Sequence, residues 1–247
     1  MMAEPVFQIT EEPKAKKRKR RRIIVFNAVL DGLIILSLVY IGIVYGPFLY
    51  QEGSYYVRQA FGKTYILAQD SPATGPTPAG SVFSSIVNGV PEIAIEPKDT
   101  DFGLVIEKIG LNESVVAGVD PDDKAEYRKA LKKGVAHARG TEYPGSVGNV
   151  YLFAHSTANV WDAVTLKSYF TLLRKLEPGD RVVVFYQGNR YDYEVYAKKV
   201  IDPTDTSDLT GHAEEPILTL QTCDPPGSDA RRLIVKARLV AYELAIE

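Results

Sequence analysis

The sequence predicts a mainly β domain, a closed or nearly closed barrel with short helices, preceded by a single transmembrane helix. Three observations predict it. From Phe102 onward, runs rich in β-branched and aromatic residues follow one another at short intervals. Near the N-terminus, Ile23 to Gly46 is a 24-residue apolar stretch without lysine or arginine. Between the two lies Ser71 to Gly80 (SPATGPTPAG), a Pro/Gly/Thr stretch that reads as an extended spacer or a tolerated loop.

Taken in order, residues 1–22 form a basic tail, in which KAKKRKRRR (14–22) carries eight positive charges. Such a run alone reads as a solvated tail or a nucleic-acid patch. The apolar stretch that follows changes the reading. At residues 23–46 it is long enough to span a bilayer and longer than a signal-peptide core, with no small-residue cleavage site after it. The positive-inside rule then places the N-terminus in the cytoplasm and everything after Pro47 outside.

Asp31 opposes insertion by about 2.5–3.5 kcal/mol if central, yet it lies off-centre towards the basic side. Fifteen Leu, Ile, Val and Phe residues in the same stretch, each favourable by about 0.3–0.6 kcal/mol, outweigh it. An intramembrane acid invites a functional role, but no partner for Asp31 is evident in the sequence.

Residues 47–99 form a juxtamembrane segment and linker. Tyr50, Tyr55, Tyr56 and Phe61 suggest a short helix before the spacer. Residues 100–247 form the barrel domain. Strands are expected over 102–109, 149–154, 181–187, 191–201, 216–223 and 232–242, with Gly188-Asn189-Arg190 as a hairpin connection. Helical character is expected over 122–133 and 165–176, the latter stopped by Glu177-Pro178-Gly179.

Charge narrows the function classes. From Pro47 onward there are 21 basic and 27 acidic residues, an acidic exterior that argues against nucleic-acid binding. The single cysteine, Cys223, excludes an internal disulfide and makes a reactive thiol a candidate. No CxxC or HxxxH spacing points to metal.

Cys223 ends Thr219-Leu220-Gln221-Thr222-Cys223, and Arg232 follows nine residues later. Side chains alternate along a strand, so Leu218 and Leu220 face the core while Thr219, Gln221 and Cys223 face away. A thiol kept as a small hydrophobe would sit on the other face. A thiol, a histidine and an arginine are the parts a cysteine acyl-transfer site requires: nucleophile, proton carrier and oxyanion donor.

TLQTC, followed by an arginine at the head of Arg232-Leu233-Ile234-Val235, resembles the signature of the sortases, cysteine transpeptidases of bacterial cell surfaces. The likeness extends over roughly residues 100–242 in the family's order. Leu104 to Asn112 resembles the first barrel strand and its turn, Gly134 to Val150 the approach to the histidine, and Leu176 to Arg181 the turn into the next strand. The resemblance implies an eight-stranded barrel. It also implies catalytic roles for His155, Cys223 and Arg232, and substrates that are surface proteins bearing a C-terminal LPxTG-like sorting signal. The acceptor would be an amine of the cell wall or of a pilin. No cofactor is implied, and calcium dependence is left open. No Asp-Pro-Trp/Phe lid motif precedes the first barrel strand, and Asp120-Pro121 comes too late in the chain, which weighs against pilin polymerisation.

The residues support those assignments independently. His155 shares the face of Tyr151 and Phe153, opposite Val150, Leu152 and Ala154, whereas His137 and His212 fall in regions that read as solvated loops. The family often has Gly where Ala154 stands. Arg232 is in phase with Ile234 and Lys236, away from the core; Arg231 is in phase with Leu233 and Val235 and must either turn inward or precede the strand. Thr222 adds a hydrogen bond near the site or is structural. A surface cysteine peptidase would use the same residues with water as acceptor. In a membrane-tethered peptide-binding scaffold the thiol would be incidental.

Overall fold

The computed structural model describes residues 14–70, 92–156 and 168–244. Residues 1–46 and 47–247 make two compact units. Helix α1 runs from Lys14 to Ala60. Its Arg20–Ile43 portion, of mean hydropathy 2.3, is long and apolar enough to cross a membrane, and Ile24, Phe26 and Leu36 on it are exposed. The helix passes through Pro47 rather than stopping there. A proline within a helix removes one backbone donor, and the packing of the next turns offsets that loss.

In the second unit, β1 (Thr64–Leu67) and β2 (Glu92–Ile95) form a parallel pair. The barrel strands are β3 (Phe102–Ile106), β4 (Leu111–Val119), β5 (Val135–Ala138) and β6 (Gly148–Phe153), then β7 (Arg181–Tyr186), β8 (Asn189–Ile201), β9 (Pro216–Asp224) and β10 (Arg231–Glu243). They close in the order β10-β8-β7-β3-β4-β5-β6-β9. The pairs β4/β5 and β6/β9 are parallel and the others antiparallel. Helix α2 (Lys124–Leu131) links β4 to β5, and the one-turn α3 (Ser207–Thr210) lies between β8 and β9. Asp123 caps α2 by accepting from the backbone of Ala125 and Glu126.

The closed eight-stranded barrel is the expected fold. Inward residues such as Leu104, Leu152, Tyr193, Leu218, Leu220 and Val235 are fully buried in one core. The β7–β8 hairpin turns at Gln187-Gly188, one residue earlier than expected. Both residues have positive φ, 51° and 78°, which matches the strand twist. Two strands the sequence left unassigned, β4 and β5, complete the barrel. Gly134, entering β5, is required because a side chain there would collide with the Ser114 carbonyl of β4.

The second expected helix differs. Of residues 165–176, those described (168–176) form turns and a 3₁₀ turn, Leu173–Lys175. The buried Thr171 hydroxyl donates to the carbonyls of Ser156 (2.6 Å) and Ser168 (2.9 Å), a local alternative to a regular helix. The spacer at Ser71–Gly80 lies outside the described residues.

Part of the segment before residue 100 packs against the barrel. Tyr55 joins the core, and Leu67 caps Val105, Val183 and Phe185 on the outer side of β3 and β7. Asp70 accepts from Arg190 (2.7 Å) and Arg181 (2.5 Å). Those bonds, Arg190's above all, hold its carboxyl below the usual range.

Candidate active site

Strand β9 sends Leu218, Leu220 and Thr222 inward and leaves Gln221 and Cys223 half-buried on the outer face. Cys223 and Arg232 are direct partners in the antiparallel β9/β10 pair. Side chains so paired stand about 4.5–5.5 Å apart at Cβ. On the other flank, β6 runs parallel to β9 with Phe153 opposite Gln221 as the last pair. Two residues further along both chains are His155 and Cys223, so the three candidates meet at one end of three adjacent strands.

Burial raises the Cys223 thiol above its ordinary range. Arg232 opposes that rise and Asp229 adds to it. Arg232 is half-exposed and donates from Nη1 to the carbonyls of Asp229 (2.9 Å) and Arg231 (3.1 Å), which fixes the guanidinium beside the thiol. Arg231 begins β10, is exposed, and pairs with Asp224 at 3.4 Å. Its inward phase is thus resolved by position: the strand starts there, before the core closes around it.

His155 lies two residues past the end of β6, and its Nε2 is buried. The Tyr127 ring of α2 meets the imidazole edge-on, with centroids 6.4 Å apart. Its carbonyl accepts from the Phe170 amide at 3.0 Å. One residue earlier, the Ala154 carbonyl accepts from the Thr222 hydroxyl at 2.8 Å, and the Ala154 amide donates to Gln221 O at 3.2 Å. Thr222 therefore ties the end of β6 to the strand carrying Cys223.

The other histidines lie elsewhere. His212 is exposed, as expected of a loop. His137 is not in a solvated loop: it sits in β5, 1% exposed. Its Nδ1 accepts from the Gly118 amide (3.3 Å) and Nε2 pairs with the Glu142 carbonyl (3.0 Å), while Tyr143 and Phe102 pack on the ring. Burial lowers its pKa, which favours the neutral ring in the core. The short string Val-Ala-His-Ala gave little strand signal, which hid this burial.

Sequence reasoning missed the polar layer on the face leading to Cys223. Tyr151, 3% exposed, donates its hydroxyl to Gln221 Oε1. Burial, and then the charge of Asp208, pushes that phenol well above its usual range. Asp208 on α3 pairs with Lys199 (2.8 Å) and Lys236 (3.1 Å), and its carbonyl accepts from Asn149, which in turn accepts from Thr219. This network holds α3 over β6, β9 and β10. Sequence spacing gives no sign of it, because most of its bonded partners are dozens of residues apart. Among the described residues, no group of three or more His, Cys, Asp or Glu side chains is placed to hold a metal ion.

Comparison with known proteins matches residues 104–240, more than half of the chain, to the family model described as the sortase domain. Sortase D of Bacillus subtilis (strain 168) is 31% identical over 140 residues, covering 56% of this chain and 62% of that relative. The chain thus spans less than two thirds of the length of that curated relative. Among solved structures, sortase C-1 from Actinomyces oris is 28% identical with a TM-score of 0.48, over 58% of this chain and 76% of that one. Sortase C1 of Streptococcus agalactiae is 28% identical with a TM-score of 0.49, over 60% and 72%.

Proposed function

The chain belongs to the sortase family, and from that premise we propose that it is a membrane-anchored cysteine transpeptidase acting on surface proteins with an LPxTG-like sorting signal. The observation that supports this most is the direct pairing of Cys223 with Arg232 across β9 and β10, with His155 at the neighbouring strand end.

The chemistry follows from those positions. The Cys223 thiolate attacks the carbonyl carbon of the signal's threonine, and Arg232 donates hydrogen bonds to the developing oxyanion. Arginine suits the place because its fork stays charged and offers several donors at fixed geometry. The C–N bond breaks as protonated His155 gives its proton to the leaving amine, which leaves a thioester on Sγ. An incoming amine of the cell wall or of a surface protein loses its proton to His155 and attacks the thioester. The C–S bond then breaks, and the Cys223 thiolate is released. The apolar helix at Arg20–Ile43 anchors the enzyme, and the basic run before it keeps the N-terminus in the cytoplasm and the barrel outside.

Mass spectrometry of the protein mixed with a library of sorting peptides tests this reading. A mass increase on Cys223 equal to the acyl fragment, discharged to an amide product by an added amine, is the expected result. No adduct with any peptide refutes the reading. An acid product that amine does not divert identifies a peptidase instead.

A further inference from the structure

We propose that the membrane-proximal end of α1, residues 47–60, positions the imidazole of His155, acting through Glu52. The inference rests on the transpeptidase reading above.

His155 lies beyond the last ladder pair of β6, so the sheet alone does not hold it. Its backbone needs support on the side away from Thr222. That support is the buried turn at 170–173: the Phe170 amide donates to His155 O (3.0 Å), and Thr171 Oγ1 donates to Ser156 O (2.6 Å). Phe170 and Leu173 are 0% exposed, Thr171 1% and Ser156 2%.

The turn is held in its own right. On the barrel side, Lys198 Nζ of β8 donates to the carbonyls of Arg174 (3.0 Å) and Leu176 (2.8 Å). On the other side stands α1, where Phe48, Glu52, Tyr55 and Tyr56 fall at helical spacing on one face. Glu52 pairs with Arg174 at 2.6 Å and with Lys175 at 3.0 Å, and its side chain is only 13% exposed. Lys175 also donates to the Tyr56 hydroxyl (2.8 Å) and lies over that ring, 4.4 Å from its centroid. Tyr55 is buried in the barrel core.

A continuous line of contacts therefore joins the Glu52 carboxylate to the His155 carbonyl. A well-packed interior shifts as a body rather than absorbing displacement locally, so loosening the helix moves the histidine. Because His155 serves as the proton donor to the leaving amine, the loss should depend on the leaving group. That separates positioning from mere stability.

The test uses the full chain in detergent micelles, with folded sites counted by thiol titration. A sorting peptide with its native amide bond is compared with the same acyl group on an aryl ester, whose leaving group needs no proton. Glu52→Ala should lower kcat on the amide by about 10- to 100-fold, with KM unchanged and ester acylation retained. Arg174→Ala with Lys175→Ala should do the same, and the triple variant should be no worse than either. Equal loss on amide and ester, no loss on either, or additive losses in the triple variant overturn the inference. A wild-type protein inert to both substrates overturns the transpeptidase reading, and this inference with it.

Discussion

Replacing Thr222 with valine removes one hydroxyl and almost no volume. The hydroxyl's 2.8 Å bond to Ala154 O is buried, and it joins the strand of Cys223 to the residue before His155. Valine keeps the packing of a side chain that is 3% exposed but leaves the carbonyl without that partner. A buried carbonyl stripped of its bond costs about 1–3 kcal/mol. For a domain of this size each kcal/mol shifts Tm by about 2–4 °C, so the midpoint should fall by roughly 2–12 °C. Acyl-enzyme formation should fall further than stability does, because the released peptide is the one that aims the histidine. Rates measured well below Tm by mass spectrometry of the adduct separate the two effects. Thr222→Ser keeps the hydroxyl and should recover most of both. A valine variant that unfolds at the wild-type midpoint and acylates at the wild-type rate would refute the assignment of Thr222 as the tie between the strands.

Cys223→Ala should abolish the thioester while leaving the barrel folded by circular dichroism, since a half-buried thiol at a strand end adds little to the core; any acyl adduct in that variant removes the central claim. The thiol's pH response has a definite sign. Burial raises it and Arg232 pulls it back, so alkylation should climb with pH above the range of an exposed thiol, and Arg232→Gln should move the midpoint higher still; an unchanged or lower midpoint contradicts the electrostatic assignment. A small membrane-impermeant maleimide added to intact, gently reduced cells should label the protein at Cys223 and leave Cys223→Ala unlabelled, whereas labelling only after permeabilisation would place the barrel in the cytoplasm.

What could be read from the sequence followed local pattern. The alternation Leu218, Leu220 against Gln221, Cys223 sets the outward thiol, and the phase of Arg232 with Ile234 and Lys236 sets the guanidinium beside it. Strands β4 and β5 escaped because Asn112-Glu113-Ser114 is polar and Val135–Ala138 is short and built of small residues. The burial of His137 was hidden for the same reason. The 3₁₀ turn at 173–175 escaped because Leu172, Leu173 and Leu176 carry helical spacing, while Thr171 spends its hydroxyl on the Ser156 carbonyl, fifteen residues away. The docking of Glu52 on Arg174 joins residues 122 apart, and no local pattern encodes a contact of that range.

Topology explains how residues distant in sequence come to one candidate site. In a parallel pair both strands point to the same edge, so the ends of β6 and β9 lie together although Ala154 and Thr222 are 68 residues apart. The turn after Cys223 returns the chain antiparallel, which brings Arg232 back to the same edge. A parallel pair needs a long crossover, and here it contains β7 and β8, which close the barrel. The pairing that brings His155 and Cys223 to one edge is therefore a long-range one. Two short contacts, Thr222 to the Ala154 carbonyl and the Phe170 amide to the His155 carbonyl, then hold the two residues beyond the last ladder pair.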